Sequence, residues 1–86
     1  MYSVRYEQRV EKDLRYLPKE VIRQALDRIE SVLRLRPLAD KKLEYRGREL
    51  YSYRVRDYRI IYAIDPKKKE TVVFRIRHRK EVYRNL

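Results

Sequence analysis

Arginine and lysine side chains dominate the second half of this chain, and the chemistry that they offer is the binding of phosphates. Residues 1–40 hold nine basic and seven acidic side chains, whereas residues 41–86 hold fifteen basic and six acidic ones. The second half therefore carries +9 of a net charge of +11. Because each phosphate that a cation neutralises releases condensed counterions, this concentration of charge indicates a polyanionic partner such as a nucleic acid.

The same composition argues against other kinds of site. The chain has no cysteine, so disulfides and thiolate metal ligands are excluded. His78 is the single histidine, too few for a histidine-based metal site, and we expect neither a metal nor a cofactor. No apolar run approaches the length of about 20 residues that a membrane span needs, so we expect a soluble cytoplasmic protein with no membrane partner. Its 43% of charged residues is also typical of a thermophile-like composition.

Two amphipathic helices are predicted in the first half of the chain. After a short strand over 2–6, apolar residues recur at helical spacing over 10–17, with Asp13 on the outward face. Pro18 separates this helix from a second one, whose apolar stripe runs over 21–33. The short link between the two helices predicts an antiparallel hairpin with one shared apolar face.

Three strands are predicted in the second half, after a polar stretch over 38–49. They cover 50–56, 58–64 and 71–77, the last with Val72, Phe74 and Ile76 on one face and Val73, Arg75 and Arg77 on the other. The order β-α-α-β-β-β in a single domain, 1–86, predicts an α+β fold. We expect a helical hairpin packed on one face of a mostly antiparallel four-stranded sheet, with a basic, tyrosine-bearing face left exposed.

Two segments of the chain resemble a known family. Lys42, Leu43 and Gly47, followed by LYSYRVRDYRIIY over 50–62, are similar to the core motif of the RelE/ParE toxin superfamily. The sequence RHRKEVY over 77–83 resembles the close of its RelE branch. The resemblance implies a toxin of a type II toxin-antitoxin system, held inactive by a RelB-like antitoxin. It further implies a metal-independent endoribonuclease (an mRNA interferase) that cuts messenger RNA in the ribosomal A site and inhibits translation.

The resemblance also implies which residues act when the 2′-hydroxyl attacks the adjacent phosphate. The catalytic residues would be Arg54, Arg59, Arg79 and Tyr83, with His78 as a lower-ranked candidate for the general base. The residues expected to bind RNA or the ribosome are Arg56, Arg77, Lys67, Lys68 and Lys69. Arginine suits charge stabilisation because its planar guanidinium holds two phosphate oxygens and stays charged, but it is a poor base. Ser52 departs from the family, since well-studied members carry a lysine there.

Other interpretations of the same residues stay open. Arg54 and Arg59 could be a solvated sheet face, the lysines at 67–69 an exposed turn, and His78 a structural group. The chain could be a ParE-like inhibitor of DNA gyrase that cuts nothing. It could also be a catalytically inactive basic module that binds RNA or an antitoxin. In each toxin hypothesis the excess of +9 in the second half predicts an acidic antitoxin.

Overall fold

The computed structural model describes residues 1–34 and 41–81, which form two helices and a five-stranded sheet. The elements are β1 (Ser3–Tyr6), α1 (Gln8–Leu14), α2 (Lys19–Arg28), a π-helical turn (Ile29–Leu33), β2 (Lys41–Tyr45), β3 (Arg48–Val55), β4 (Tyr58–Asp65) and β5 (Glu70–His78). The predicted α+β class and the pair of helices are confirmed.

The sheet has one strand more than the sequence predicts. Its order is β1-β5-β4-β3-β2, with β1 parallel to β5 and all other neighbours antiparallel. The additional strand β2 lies in the stretch predicted to be polar and irregular, and it pairs with β3 through a tight turn at Arg46 and Gly47. Both turn residues have positive φ, 50° and 78°, as the favoured two-residue hairpin turn requires. An edge strand tolerates charged residues, which is why its sequence lacks an apolar pattern.

The main core lies between the helices and one face of the sheet. Its buried members are Val10, Ala25, Ile29, Leu33, Val55, Ile60, Tyr62, Val73 and Ile76. Tyr51 and Tyr53 pack against them, and the rings of Tyr51 and Tyr62 stack with their centroids 5.8 Å apart. The expectation of a tyrosine-bearing exposed face is therefore wrong, because these aromatic rings fill the space under the helices.

The alternation predicted for β5 is interrupted by a β-bulge. Ile61 pairs with Arg75 whereas the next residue of β4, Tyr62, pairs with Val73, so Phe74 is the extra residue. An extra residue shifts the side chains on either side of it by one position relative to the two faces. Val73 and Ile76 consequently share the main core, and Phe74 joins a second cluster with Leu50, Ile61 and Ala63.

That second cluster lies on the face of the sheet that the helices leave uncovered. We call this surface the helix-free face; it includes Arg48, Leu50, Ser52 and Arg54 of β3, Arg59 and Ile61 of β4, and Phe74 and Arg77 of β5. The membership follows from the register, because residues that alternate with the core positions of β3 and β4 point away from the helices.

A buried ion pair fastens α1 to β5. Asp13, predicted to face outward, is 7% exposed, and its carboxylate accepts hydrogen bonds from Arg75 Nε at 2.9 Å and Nη2 at 2.8 Å. It also accepts the backbone N–H of Ile76 at 3.1 Å. Because β1 pairs with β5 only as far as Tyr6 and Val73, this N–H lies beyond the end of β1, and Asp13 supplies its acceptor.

Candidate nucleic-acid interface

Three arginines form a row across the helix-free face. Arg54 of β3 pairs directly with Arg59 of β4, and Arg59 pairs with Arg77 of β5. Neighbouring strands are about 4.8 Å apart, so this arginine row spans about 10 Å. Like charges placed directly opposite each other destabilise a sheet. An anion bound along the row would offset that repulsion.

The turn between β3 and β4 positions the first arginine of the row. Arg56 adopts a left-handed backbone conformation, with φ at 55°, in the connection from Val55 to Tyr58. Its carbonyl oxygen accepts a hydrogen bond of 2.9 Å from Arg54 Nε. Arg56 is therefore next to the row, and its main-chain carbonyl fixes the guanidinium of Arg54.

Ser52 positions the second arginine of the row. Its hydroxyl is fully buried and lies 3.3 Å from Arg59 Nη1, which donates a hydrogen bond to it. A serine in this place cannot reach a substrate as a longer lysine would. Ser52 instead accepts a hydrogen bond from Arg59, a role that the sequence does not predict.

The third arginine of the row has an acidic neighbour. Arg77 Nη2 and Glu81 Oε2 form an ion pair of 2.8 Å, and Arg77 is the more buried partner. Arg79 follows at the end of β5, where its backbone N–H donates to the carbonyl oxygen of Asp57 at 2.8 Å. This bond brings Arg79 to the β3–β4 turn, so Arg54, Arg56, Arg59, Arg77 and Arg79 gather at one end of the sheet.

His78 lies on the other side of the sheet. It pairs with Tyr58, whose ring meets the imidazole edge-on with centroids 5.3 Å apart. Its Nδ1 accepts the backbone N–H of Lys80 at 3.1 Å. His78 borders a cavity of about 320 Å³ beside the buried pair of Asp13 and Arg75. The structure therefore does not bring His78 together with the arginine row, except that Arg77 also borders this cavity.

The predicted lysines lie at the opposite end of the sheet. They occupy the turn between β4 and β5, where the Asp65 carboxylate accepts the backbone N–H groups of Lys67 and Lys68 at 3.1 and 3.2 Å. Asp65 is six positions along β4 from Arg59, a distance of about 20 Å. Lys67, Lys68 and Lys69 are exposed there and do not share a site with the arginine row. Tyr83 lies outside the described residues.

Shifted pKa values occur where β1 meets the end of the helical hairpin. Burial raises the pKa of Tyr6, and the nearby Glu30 carboxylate adds to that rise. A hydrogen bond from Arg34 lowers the pKa of Glu30 and raises that of Arg34. At the opposite edge of the sheet, the hydrogen bond to Glu49 raises the pKa of Lys42. These groups stabilise ion pairs of the scaffold and do not line the arginine row.

Within residues 1–34 and 41–81, no three histidine, aspartate or glutamate side chains are grouped so that they could hold a metal ion. No helix in the same part of the chain is long and apolar enough to cross a membrane.

The chain is similar to known proteins of toxin-antitoxin systems. A family model described as the ParE toxin of the type II toxin-antitoxin system, parDE, matches residues 4–83. The toxin-antitoxin complex RelBE2 from Mycobacterium tuberculosis contains a chain that is 28% identical, with a TM-score of 0.80, over 90% of this chain and 96% of that one. The archaeal RelE-RelB complex from Pyrococcus horikoshii contains one that is 32% identical, with a TM-score of 0.75, over 91% and 94%. The intact RelBE complex of E. coli is similar in fold, at 21% identity and a TM-score of 0.73 over 91% and 96%. No curated protein sequence matches the chain.

Proposed function

The chain belongs to the ParE toxin family of type II toxin-antitoxin systems, on the RelE branch of the RelE/ParE superfamily, and from this we propose that it is a ribosome-dependent endoribonuclease. Its substrate is messenger RNA in the A site, and its effect is to stop translation. The 2′-hydroxyl gives its proton to a base as its oxygen attacks the adjacent phosphorus. The bond from phosphorus to the 5′-oxygen breaks, which leaves a 2′,3′-cyclic phosphate, and the leaving 5′-oxygen takes up a proton.

The observation that supports this proposal is the arginine row. Arg54, Arg59 and Arg77 stand side by side on three adjacent strands, so a phosphate bound along the row can contact more than one guanidinium group. A phosphate that becomes five-coordinate gains negative charge on its oxygens, and planar guanidinium groups match those oxygens in pairs. Fixed cations that act where charge develops are often the largest single contribution to a reaction rate.

The roles of the individual residues follow from their anchoring. Arg59 is held by Ser52 and Arg54 by the carbonyl of Arg56, so both guanidinium groups are oriented before the substrate binds. Arg79, at the neighbouring turn, supplies a further cation for the scissile phosphate. We assign to Tyr83 the stacking on an unpaired base or the transfer of a proton.

The general base is the group for which this chain offers the fewest candidates. Arginine stays protonated, and Ser52 is buried beneath Arg59. His78 has an imidazole, which can act as a base, but it lies on the helical side of the sheet with its Nδ1 already accepting a hydrogen bond. We therefore rank His78 below Tyr83 for proton transfer.

We further propose an acidic RelB-like antitoxin as the partner that silences the toxin. The similar chains from M. tuberculosis and P. horikoshii come from toxin-antitoxin complexes. An acidic partner matches the balance of +9 over residues 41–86 and would cover the arginine row. Because the proposed substrate is a translated message, the proposed site of action is the cytoplasm.

The test is primer extension on messages from cells briefly induced for the wild-type protein or for Arg59→Ala, Arg79→Ala and Tyr83→Ala variants. We expect codon-aligned cuts within translated regions, weakened about 100-fold or more in the Arg59→Ala variant because one preorganised donor is lost. Arg23→Ala is the matched control, since Arg23 is an exposed arginine on α2 that pairs with Glu20. Intact messages in cells that express the wild type would contradict the proposal.

A second candidate function is inhibition of DNA gyrase, because the family model that matches residues 4–83 is that of ParE toxins. Growth arrest with blocked replication and intact messages would establish it. Normal growth with intact messages would instead identify an inactive basic relative that binds RNA or an antitoxin only.

A further inference from the structure

A cation and an aromatic ring lie one above the other on the helix-free face, away from the arginine row. The guanidinium carbon of Arg48 lies 4.7 Å from the centroid of the Phe74 ring. Phe74 packs on its other side against the cluster of Leu50, Ile61 and Ala63. Arg48 is exposed and Phe74 is half-buried, so the guanidinium plane can be reached from solvent while the ring supports it from below.

The bulge in β5 places this pair and the arginine row on the same face of the sheet. Val73 faces the core, so the next residue, Phe74, faces the other way and packs beside Ile61. The extra residue then brings Arg77, three positions after Phe74, to the same face, where it pairs with Arg59. Bulges are over-represented next to functional sites because they redirect side chains in this manner.

The position of the pair relative to the arginine row matches a neighbouring nucleotide. Phe74 lies at the level of Ile61, two residues along β4 from Arg59, which is a distance of about 7 Å along the strand. That distance is of the order of one nucleotide in an extended single strand. A strand whose phosphate binds to Arg59 would thus carry an adjacent base over Arg48.

The surface beyond Arg48 offers room for such a strand to continue. A groove of about 700 Å³ runs from Arg48 to Lys67 and Lys68, with Arg5 and Val72 in its wall. Two of its three acidic side chains are in ion pairs, Glu49 with Lys42 at 3.0 Å and Glu70 with Arg5 at 3.7 Å. The third, Asp65, accepts the backbone N–H groups of Lys67 and Lys68. The groove therefore extends the basic surface toward the far turn of the sheet.

We propose that Arg48, supported by Phe74, is a stacking platform for one unpaired base of single-stranded RNA, next to the phosphate that the arginine row binds. This inference rests on the proposed function and deepens it by adding a base-binding subsite. Unpaired RNA bases stack on arginine planes as well as on aromatic rings, and stacking tolerates any base because every base has a flat face. The subsite positions the strand without selecting a particular base.

The test measures binding of a short unstructured RNA by fluorescence anisotropy at about 50 mM salt, where the electrostatic attraction is strong. A 2′-O-methyl group at every position prevents cleavage and keeps the sugar RNA-like, and a series of oligonucleotides each lacks one base. Arg48→Lys keeps the charge of residue 48 and removes its plane, while Phe74→Leu removes the support of that plane. Arg23→Lys on α2 is the matched control, and thermal melting verifies that each variant is folded.

We expect Arg48→Lys to weaken binding of the intact oligonucleotide about 5- to 100-fold, the usual range for loss of one stacked base. Phe74→Leu should act in the same direction, and Arg23→Lys should have no effect. The effect of Arg48→Lys should disappear on the one oligonucleotide that lacks the stacked base.

An equal effect of Arg48→Lys on every abasic oligonucleotide, or an effect no larger than that of Arg23→Lys, would overturn the platform. The proposed nuclease could still hold in that case, because message cleavage is measured separately. Conversely, a base-dependent loss of binding together with intact messages in cells would support the platform and overturn the nuclease. Failure of the folded wild-type protein to bind RNA at this salt concentration would overturn the platform, and message cleavage in cells would still decide the nuclease.

Discussion

At the scale of single residues, the orientation of two guanidinium groups in the arginine row depends on two hydrogen bonds. Arg59 reaches the buried hydroxyl of Ser52, and Arg54 reaches the carbonyl of Arg56. An arginine side chain has about 2 kcal/mol of rotamer entropy, and part of that is lost before the substrate arrives when the guanidinium is already anchored. We therefore propose that Ser52 is a positioning residue that acts through Arg59.

The Ser52→Ala variant should test this role. One buried hydrogen bond contributes about 0.5 to 1.5 kcal/mol, so we expect the rate of message cleavage at saturating toxin to fall about 2- to 10-fold. The concentration that gives half-maximal rate should change little, because the charge of Arg59 remains. The measurement is cleavage of a defined message in a translating extract, with Ser52→Thr as the variant that restores the hydroxyl.

Ser31→Ala is the control for the loss of a hydroxyl, since Ser31 donates to the Asp27 carbonyl on the helical side of the molecule. Equal cleavage rates for the Ser52→Ala variant and the wild type would remove Ser52 from the site.

At the scale of elements, the pair of Asp13 and Arg75 decides how α1 meets the sheet. Both side chains are less than a tenth exposed, and Asp13 also caps the N–H of Ile76 beyond the end of β1. A buried ion pair adds little net stability relative to apolar residues, but removal of one partner leaves the other charge buried without compensation. The contact therefore specifies the docking of α1 rather than supplying much of the stability of the domain.

The Asp13→Asn variant should lower the free energy of unfolding by about 3 to 5 kcal/mol, the usual result when one partner of a buried pair is removed. Urea denaturation followed by circular dichroism measures the change. Glu20→Gln is the matched control, because its partner Arg23 is exposed and such surface pairs contribute about 0 to 1 kcal/mol. A loss below about 1 kcal/mol in Asp13→Asn would mean that the pair is not formed in solution.

At the scale of the whole molecule, the fold separates structural from binding surfaces. Both helices and the tyrosines build one side of the sheet, which leaves the helix-free face with the arginine row, the Arg48–Phe74 pair and the basic groove. Arg48, Arg54, Arg59 and Arg77 thus lie on one side of the sheet, whereas Arg75 is buried against Asp13 on the helical side. A surface of this kind attracts a polyanion over a distance set by the ionic strength.

This arrangement predicts a specific salt dependence of RNA binding. If about three phosphates are neutralised by the arginine row, the logarithm of the affinity should fall with the logarithm of salt concentration at a slope of about −2 for a single strand. Arg59→Ala should make the slope shallower by about 0.7, whereas Arg23→Ala should leave it unchanged. Anisotropy titrations at several salt concentrations measure both slopes. Identical slopes for all three proteins would exclude Arg59 from the phosphate contacts.

The sequence by itself determined most of the architecture and the side of the sheet that holds the arginines. Helical spacing and strand alternation are local properties, so α1, α2 and the strands β3 to β5 could be predicted from them. The same alternation placed Ser52 and Arg54 opposite the core positions Tyr53 and Val55, as the structure has them. The motif at 50–62 also identified the family that the comparisons establish.

Only the tertiary structure decided the features that depend on pairing partners. The edge strand β2 is stabilised by hydrogen bonds to β3 and not by an apolar pattern, and the bulge that brings Arg77 to the helix-free face depends on the register of β5 with β4. Helical spacing predicted that Asp13 is exposed, because the sequence of its own helix gives no sign of its partner Arg75, 62 residues away. Likewise, His78 and Arg77 are neighbours in sequence but lie on opposite faces of the sheet. Which of the two faces stays exposed is decided only when the helices pack on the other one. Long-range contacts of this kind follow from how the elements pack, and local sequence spacing does not encode them.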